Sequence, residues 1–588
     1  MAAPIRNRWH TSAAYLATGL LAFVLVALIA RPWNAGTGVF AIGGDDLWLQ
    51  ASAQVAASVG PFGIDPNLGW PSGYALWSVP QLGILLGGIL WLFGGVLGTS
   101  SAAAVLWAIA VVAGLTAMAS LFLFRSVIPT VSITFALPLA VALGGSPAPL
   151  VVVGHVNVAA WFLLPLLVGI SFRMRGCARR ERLLWGLAAF ALVAVSPLWW
   201  VIVFLLFLGL IILVGLIVRD WDAVFDRLIL AAALALGLMV QILLFRSYPN
   251  LSGSVSRGRW DSNLFGGNLT DFLLASPLAN EYLLPFDDLV LGASREFRPI
   301  GVVAAVLGLV LVIMVLLGAA VNRFFPDEPG NTIATLTQWS VVVLLFFLTG
   351  GFGNLQAAMA VLLGGGSPAR TWSRLGLIGA LLGATWLLLA LTRWSDRRAS
   401  SSPGTRSVAV AGVVAAVVVV GIYFVDARQI SNVAGVSRVA AQADFAEYGA
   451  VEFLRSTQSE PCVTLQLPVT DGLLPRTPQE AEDFPQYYYR GYIPYLMAPQ
   501  LGWTYGAVSP VAIAELEAIA EPSLTRTDPS LEPFCAVLFD KQAAAVLREE
   551  GEPLPGSDVS ALGQPDFSGD RFEVFVLPET RSDQVAGR

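Results

Sequence analysis

Residues 173–218 read RMRGCARRERLLWGLAAFALVAVSPLWWVIVFLLFLGLIILVGLIV, an arginine-rich segment followed by a long apolar run. No charged side chain occurs between Arg182 and Arg219. An apolar run of about 20 residues is long enough to cross the hydrocarbon of a bilayer, and this run fits two spans, at 183–198 and 201–218. The stretch therefore predicts helices embedded in a membrane.

The same pattern recurs along most of the chain up to residue 424. The 588 residues are 56% hydrophobic and 13% charged, with a mean hydropathy of +0.71, whereas globular chains carry roughly 25% charged residues. This composition excludes an ordinary soluble enzyme and predicts an α-helical polytopic membrane protein of about 11–13 transmembrane helices. Further candidate spans are residues 12–30, 80–97, 101–124, 127–144, 158–172, 228–245, 299–321, 338–350, 374–392 and 407–424.

Charge divides the chain into two parts. Residues 1–424 hold 23 Arg against 16 Asp and Glu, whereas residues 425–588 hold 10 Arg and one Lys against 24 Asp and Glu. We expect a transmembrane domain over the first part and a separate, water-exposed domain over the second. The net charge of -6 and the lack of a basic stripe exclude nucleic acid as a partner.

The arginines predict the topology, because arginine in short loops stays on the cytoplasmic side. The N-terminus and the loops 173–182 and 393–398 are therefore expected in the cytoplasm. This gives a multi-pass protein of the cell membrane with an extracytoplasmic C-terminal domain. The spans between residues 98 and 157 do not return the chain to the correct side, so we expect one apolar stretch there to be re-entrant or a pair of half-helices. The expected outer segments are 31–79, 246–298, 351–373 and everything after 424.

The C-terminal part, residues 425–588, has the pattern of a small α/β domain. Residues 450–455 predict an amphipathic helix. The short apolar runs 463–467, 536–539 and 572–576 predict strands, since each is bounded by turn-forming residues. A mixed α/β domain outside the membrane is therefore expected to follow the last span.

The three cysteines fall at informative places. Cys462 and Cys535 each stand one residue before a predicted strand. Two interpretations remain open for them: a disulfide, which an oxidising compartment permits, or two unrelated buried thiols. Cys177, in the arginine-rich loop, is expected on the reducing side. The spacing of cysteine and histidine matches no metal-binding motif.

Ionisable residues near membrane depth are the first candidates for a functional site, because placing them there is costly. Asp45 and Asp46 follow two glycines at the far end of the first outer loop. Such a pair can supply an acid or base and a second group for a divalent cation or a substrate hydroxyl; a solvated acidic pair is the alternative. His155, at the outer end of a span, suits proton transfer or hydrogen bonding to an anion, or is a satisfied structural residue.

Two further outer segments hold basic and aromatic side chains. Guanidinium groups can grip phosphate, and aromatic rings can face a sugar or a lipid interface. Arg370 and Arg374 break the positive-inside rule if they lie outside, which indicates a role in holding the phosphate of a lipid-linked molecule; interface anchoring with Trp372 is the alternative. The long outer loop offers Arg257 and Arg259 for phosphate, and Trp260, Asp261 and Asp271 for a substrate.

The order of these features resembles the GT-C superfamily of polytopic glycosyltransferases. The likeness rests on a first span, a long outer loop with an acidic pair, a Pro-led second span at Trp77–Pro80, many further spans and an outer α/β domain. The Gly-His-Val-Asn segment at 154–157 and the loop Trp260–Pro277 are similar to the YfhO-like group of bacterial membrane proteins. The acidic pair here is Asp-Asp, whereas Asp-Glu is common elsewhere in the superfamily.

The resemblance implies an inverting glycosyltransferase that works at the membrane surface. Its donor would be a polyprenyl-phosphate-linked sugar, and its acceptor a cell-envelope glycan or lipid. Asp45 or Asp46 would act as catalytic base, or the pair would hold a divalent metal ion as cofactor. Arg370 and Arg374 would correspond to the basic residues that lie near the donor phosphate.

Asp45, Asp46, His155, Arg370 and Arg374 come from three parts of the chain but share one outer level in the predicted topology. We therefore expect them to converge on one outward-facing cavity. Two other classes of protein also fit the spans. A transporter or lipid flippase should show buried charge pairs or interrupted helices in two corresponding halves, and a non-catalytic scaffold for cell-envelope assembly should be indifferent to loss of the acidic pair.

Overall fold

The computed structural model shows a mostly helical chain with a small region of β-sheet near the C-terminus. Five helices of the described part are long and apolar enough to cross a membrane. The chain is therefore a helical membrane protein that carries a small α/β domain. The described residues are 4–36, 38–40, 46–76, 83–145, 160–246, 302–317, 330–348, 375–401, 414, 421, 439–440, 442–458, 462–469, 491–505, 510–520, 524–549, 556 and 558–578.

The membrane region is built from long apolar helices and several shorter ones. The five candidate spans are Ser12–Asn34, Ser101–Val127, Leu198–Ile217, Trp221–Leu244 and Gly376–Arg397. The helices are α1 (Pro4–Ala30), α2 (Asp46–Val59), α3 (Gly83–Trp91, continued by a π-helical turn over Leu92–Val96), α4 (Ser101–Val127), α5 (Ile133–Gly145), α6 (Leu163–Met174), α7 (Arg179–Val195), α8 (Leu198–Ile217), α9 (Trp221–Arg246), α10 (Val302–Leu317), α11 (Gly330–Phe347) and α12 (Gly376–Ser401).

The helix bundle has two distinct ends. At one end Arg173, in the last turn of α6, donates from Nε to Ser126 Oγ near the end of α4, at 3.1 Å. We call this the arginine end. At the other end, the loop end, the ring of Trp33 after α1 lies 6.1 Å from the ring of Trp107 near the start of α4. Helices α1 and α4 therefore run antiparallel between the two ends.

Helix α3 does not pass from one end of the bundle to the other, which corrects the span predicted at 80–97. A Cβ built on Gly83 would lie 2.7 Å from the carbonyl carbon of Ser196, which follows α7 at the loop end. The π-helical turn after α3 is also at the loop end, because a Cβ built on Gly94 would lie 3.8 Å from Ala104 in the first turn of α4. With this crossing removed, the remaining predicted spans alternate correctly. Residues 146–159 lie outside the described residues, so the re-entrant stretch expected between residues 98 and 157 stays a prediction.

The strands are β1 (Val39–Phe40), β2 (Ile64–Asp65), β3 (Tyr74–Ala75), β4 (Val439–Ala440), β5 (Val463–Leu467), β6 (Gly502–Trp503), β7 (Ala536–Asp540), β8 (Phe567–Ser568) and β9 (Phe572–Val576). The last five form a sheet at the centre of the C-terminal domain. Its strand order is β6-β5-β7-β9-β8, with β5, β6 and β7 parallel and the other two pairings antiparallel. The predicted strands and the predicted helix at 450–455 are confirmed. The helices of the domain are α13 (Tyr448–Thr457), α14 (Tyr492–Met497), α15 (Pro510–Ile519) and α16 (Lys541–Glu549).

The two faces of this sheet belong to different hydrophobic cores, because successive side chains of a strand point to opposite faces. Val537 and Phe539 of β7 lie in the core of the C-terminal domain itself. Ala536 and Leu538 of the same strand belong to the large core that continues into the helix bundle. One face of the sheet therefore belongs to the core shared with the bundle, in which α13 and α14 also lie, and the other face belongs to the core of the domain itself.

Candidate functional site at the junction of the first loop and the C-terminal domain

The first loop, residues 31–100 between α1 and α4, carries the candidate acidic pair. Asp46 is the first residue of α2, whereas Asp45 lies outside the described residues. Leu47 and Trp48 are buried directly after it. Small residues such as Ala53 allow close approach of the turn that follows α3. Asp46 therefore begins a buried helix at the loop end of the bundle.

Tyr74 fixes the beginning of α2. Its hydroxyl accepts a hydrogen bond from Trp48 Nε1 at 2.5 Å and lies 3.2 Å from Ser52 Oγ. Tyr74 is in strand β3 (Tyr74–Ala75), which pairs antiparallel with β2 (Ile64–Asp65). The first turns of α2 are therefore tied to this β-hairpin.

Asp65, directly opposite Tyr74 in the hairpin, is a buried carboxylate. Its Oδ1 accepts from the backbone N–H of Asn67 at 2.9 Å. Its Oδ2 accepts from Ser58 Oγ at 2.8 Å and from the Tyr495 hydroxyl at 2.7 Å. These partners, all uncharged, belong to the end of α2, the hairpin and the C-terminal domain. One carboxylate thus joins three elements.

Tyr495 acts as a fixed donor in this contact. Burial raises the pKa of its phenol well above the ordinary value, and the negative charge of Asp65 raises that pKa further. A raised phenol pKa means that the proton stays on the oxygen through neutral and mildly alkaline pH. Tyr495 is therefore the donor in its contact with Asp65.

Further hydrogen bonds and ring contacts connect the first loop to the C-terminal domain. Asn67 Nδ2 donates to the carbonyl of Pro499 at 3.1 Å, and the N–H of Trp503 donates to the carbonyl of Asn67 at 2.9 Å. The rings of Trp70 and Phe534 meet edge to face with centroids 4.8 Å apart. These contacts do not involve Tyr495, so the junction has several independent attachments.

A disulfide between Cys462 and Cys535 lies inside the C-terminal domain. The two Cα atoms are 5.8 Å apart, which is within the usual range for a disulfide. The two residues precede the parallel neighbours β5 and β7, and Cys535 N–H donates to the carbonyl of Val463 at 3.0 Å. The disulfide therefore links the beginnings of two adjacent strands covalently.

Charged side chains cluster at the arginine end of the bundle, far from the junction. They lie in the loop between α6 and α7, in the first turn of α7 and around the beginning of α9, and Gln338 of α11 is a neutral partner. Pairing compensates the cost of burying charge there. The contacts are Arg175 Nη2–Asp220 Oδ2 (3.3 Å), Arg182 Nε–Asp226 Oδ1 (3.1 Å) and Arg227 Nη2–Gln338 Oε1 (2.9 Å).

Most site residues predicted from the sequence lie outside the described residues, so their convergence stays a prediction. The same holds for a metal ion at the acidic pair. Within the described ranges, no group of three or more His, Cys, Asp or Glu lies close enough together to hold a metal ion. The residues outside the described ranges are Asp45, His155, Arg257, Arg259, Trp260, Asp261, Asp271, Arg370 and Arg374.

Sequence reasoning missed Asp65 and Tyr495. Asp65 stands in the segment Gly63-Ile-Asp-Pro-Asn67, which has the composition of an ordinary turn. Its partner Tyr495 is 430 residues away in the sequence. No local pattern signals a contact of that range, so the pair becomes visible only in the folded chain.

Of three comparisons with known proteins, only the comparison with solved structures gives a match. No protein-family model matches the chain, and no curated protein gives a significant match. Among solved structures, the chain is similar to the oligosaccharyltransferase of Archaeoglobus fulgidus, crystallised in complex with Zn and sulfate. The identity is 13% and the TM-score 0.45, over 91% of this chain and 69% of that one. Function must therefore be inferred from residues of this chain.

Proposed function

We propose that the protein is a membrane glycosyltransferase that moves a sugar from a polyprenyl-phosphate-linked donor to a cell-envelope acceptor. One observation carries the proposal: Asp46 begins a buried helix at the end of the bundle on which the C-terminal domain is docked. We infer that a lipid-borne substrate and a water-borne one meet at this end of the bundle. The feature order of the sequence, which resembles the GT-C superfamily and the YfhO-like group, supports the same function.

The arginine end is assigned to the cytoplasm by the positive-inside rule. The loop end and the C-terminal domain then lie on the outer face. The Cys462–Cys535 disulfide supports this orientation, because disulfides persist in oxidising compartments and are rare in the cytoplasm.

The proposed reaction is a single displacement. Asp45 or Asp46 orients the acceptor hydroxyl and takes its proton as the oxygen attacks the anomeric carbon. The new C–O bond forms while the bond between the anomeric carbon and the donor phosphate oxygen breaks, which inverts the anomeric centre. The polyprenyl phosphate leaves with the bonding electrons. Arg370 and Arg374, with Arg257 and Arg259 nearby in the proposal, stabilise the charge on that phosphate.

The second candidate function is a transporter or lipid flippase. It is favoured by Asp226 and Arg227, which are buried within the candidate span Trp221–Leu244, because ionisable groups inside transmembrane segments mark pathways in transport proteins. A flippase moves the lipid-linked sugar between leaflets and forms no new glycosidic bond. The product of the reaction therefore separates the two candidates.

The test is an assay of membranes that contain the full-length protein. They are incubated with a panel of polyprenyl-phosphate sugars, each radiolabelled in the sugar, and the label is followed into cell-envelope glycan and lipid. We expect transfer from one donor, with release of polyprenyl phosphate. Movement of intact donor across the membrane without transfer would favour the flippase, and neither process with any donor would favour a scaffold.

A further inference from the structure

We propose that Asp65 and Tyr495 form a positioning pair through which the C-terminal domain sets the orientation of α2. The inference rests on the proposed function only for the role of Asp46, the residue with which α2 begins. The pair itself is a contact between a buried carboxylate and a buried phenol, at 2.7 Å. Neither side chain is placed in the reaction itself, so both act through α2.

The pair reaches α2 at both ends. At the far end, Ser58, one residue before the end of the helix, donates to the same oxygen of Asp65 that accepts from Tyr495. At the near end, Trp48 donates to Tyr74, which lies opposite Asp65 in the hairpin. A displacement of Asp65 is therefore passed to both ends of the helix.

The hairpin cannot hold this arrangement alone. Strands β2 and β3 contain two residues each, and isolated pairs of short strands are marginal at best in water. Tyr495 comes from the short helix α14 of the C-terminal domain and is completely buried. The fixed point for the hairpin, and through it for α2, is therefore supplied by the other domain.

The burial of Asp65 makes the contact sensitive to loss of a single donor. The described partners of Asp65 are three neutral donors, so the stabilisation of the buried carboxylate depends on hydrogen bonds. Replacing Tyr495 by phenylalanine removes one of the two donors at Oδ2 and keeps the ring. The contacts of Asn67 with Pro499 and Trp503 remain, so the domain stays docked.

The test compares wild type, Tyr495→Phe and the control Tyr448→Phe as full-length proteins in nanodiscs. Tyr448 is an exposed tyrosine at the beginning of α13 in the same domain. Hydrogen–deuterium exchange is followed in α2 (Asp46–Val59) and in the strands β5 and β7. In Tyr495→Phe we expect exchange about tenfold faster in α2, the size associated with loss of one buried hydrogen bond. Exchange in β5 and β7 should match wild type, as should the whole of Tyr448→Phe.

Sugar transfer is measured on the same samples. For a positioning role, kcat of Tyr495→Phe falls about tenfold while KM for the donor stays unchanged, because Asp46 is displaced and the donor site is not. Unchanged exchange in α2 overturns the inference, and so does faster exchange with an unchanged kcat. If the wild type transfers no sugar, the proposed function fails separately, and exchange in α2 alone supports or overturns the coupling between the domains.

Discussion

Replacing Asp46 by asparagine is expected to abolish most sugar transfer while the protein remains folded. General base catalysis contributes typically about 10²–10⁴-fold, so a loss of at least about a hundredfold is expected for the variant whose carboxylate takes the proton. Asparagine has nearly the same shape but cannot accept that proton at neutral pH. Asp45→Asn and the double variant belong to the same experiment, because either carboxylate of the pair fits the role. The rate of transfer in the membrane assay is the measurement.

The matched control is Asp570→Asn, which changes an exposed carboxylate of the C-terminal domain. It should transfer sugar at the wild-type rate. Size-exclusion chromatography and thermal melting of all variants show whether the fold is intact. Full activity in the double variant Asp45→Asn, Asp46→Asn would contradict the proposed chemistry and favour a scaffold, in which the acidic pair is merely solvated.

Removing the disulfide is expected to produce the largest loss of stability. Cys462 and Cys535 are separated by 73 residues in the sequence, and the chain-entropy relation gives about 4 kcal/mol for closing a loop of that size. Cys462→Ser should therefore lower the melting temperature of the full-length protein. A reducing agent should destabilise wild type to a similar degree and have little further effect on the variant.

Cys177→Ser is the control, because Cys177 is a free cysteine in the arginine-rich loop. It should melt like wild type and keep its sensitivity to reduction. Mass spectrometry of unreduced peptides tests the bond itself. Recovery of both Cys462 and Cys535 as free thiols from protein made in its native compartment would contradict the disulfide that links the beginnings of β5 and β7.

The strands of the C-terminal domain were predictable from local sequence, because each is short, apolar and bounded by turn residues. The predicted strands at 463–467 and 572–576 have the observed bounds, and the one at 536–539 is extended by Asp540. The order of the strands in the sheet was not predictable. It depends on which strand starts meet in space, and the two strands that follow Cys462 and Cys535 prove to be neighbours.

Helix α3 shows what hydropathy alone cannot decide. Its sequence is as apolar as that of a crossing helix, but its position depends on close contacts at glycines. Gly83 lies against Ser196 at one end of the segment, and Gly94 lies against Ala53 at the other. A pattern of apolar residues indicates that a helix lies in an apolar environment, but it does not indicate in which direction the helix runs. The predicted crossing at 80–97 was therefore wrong.

The candidate site was only partly predictable for a related reason. Asp46 stands out in the sequence, because ionisable residues near membrane depth are costly to place and are therefore candidates for a functional site. Asp65 does not stand out, since its partners Ser58 and Tyr495 lie 7 and 430 residues away and only the fold brings them together. The sequence thus identifies acidic residues that are unusual among their neighbours. The fold is needed to identify the residues that position them.

The most direct test of a shared site for the lipid-linked donor and the acidic pair is a cryo-electron microscopy structure in nanodiscs with polyprenyl phosphate bound. The measured quantity is the set of lateral distances between the phosphate, Asp46, His155, Arg370 and Arg374. We predict one cavity at the loop end, with Arg370 or Arg374 on the phosphate and all these groups within roughly 15 Å, a span that one pocket can cover. Groups scattered around the rim of the bundle, with no cavity between them and the phosphate, would contradict the proposed site.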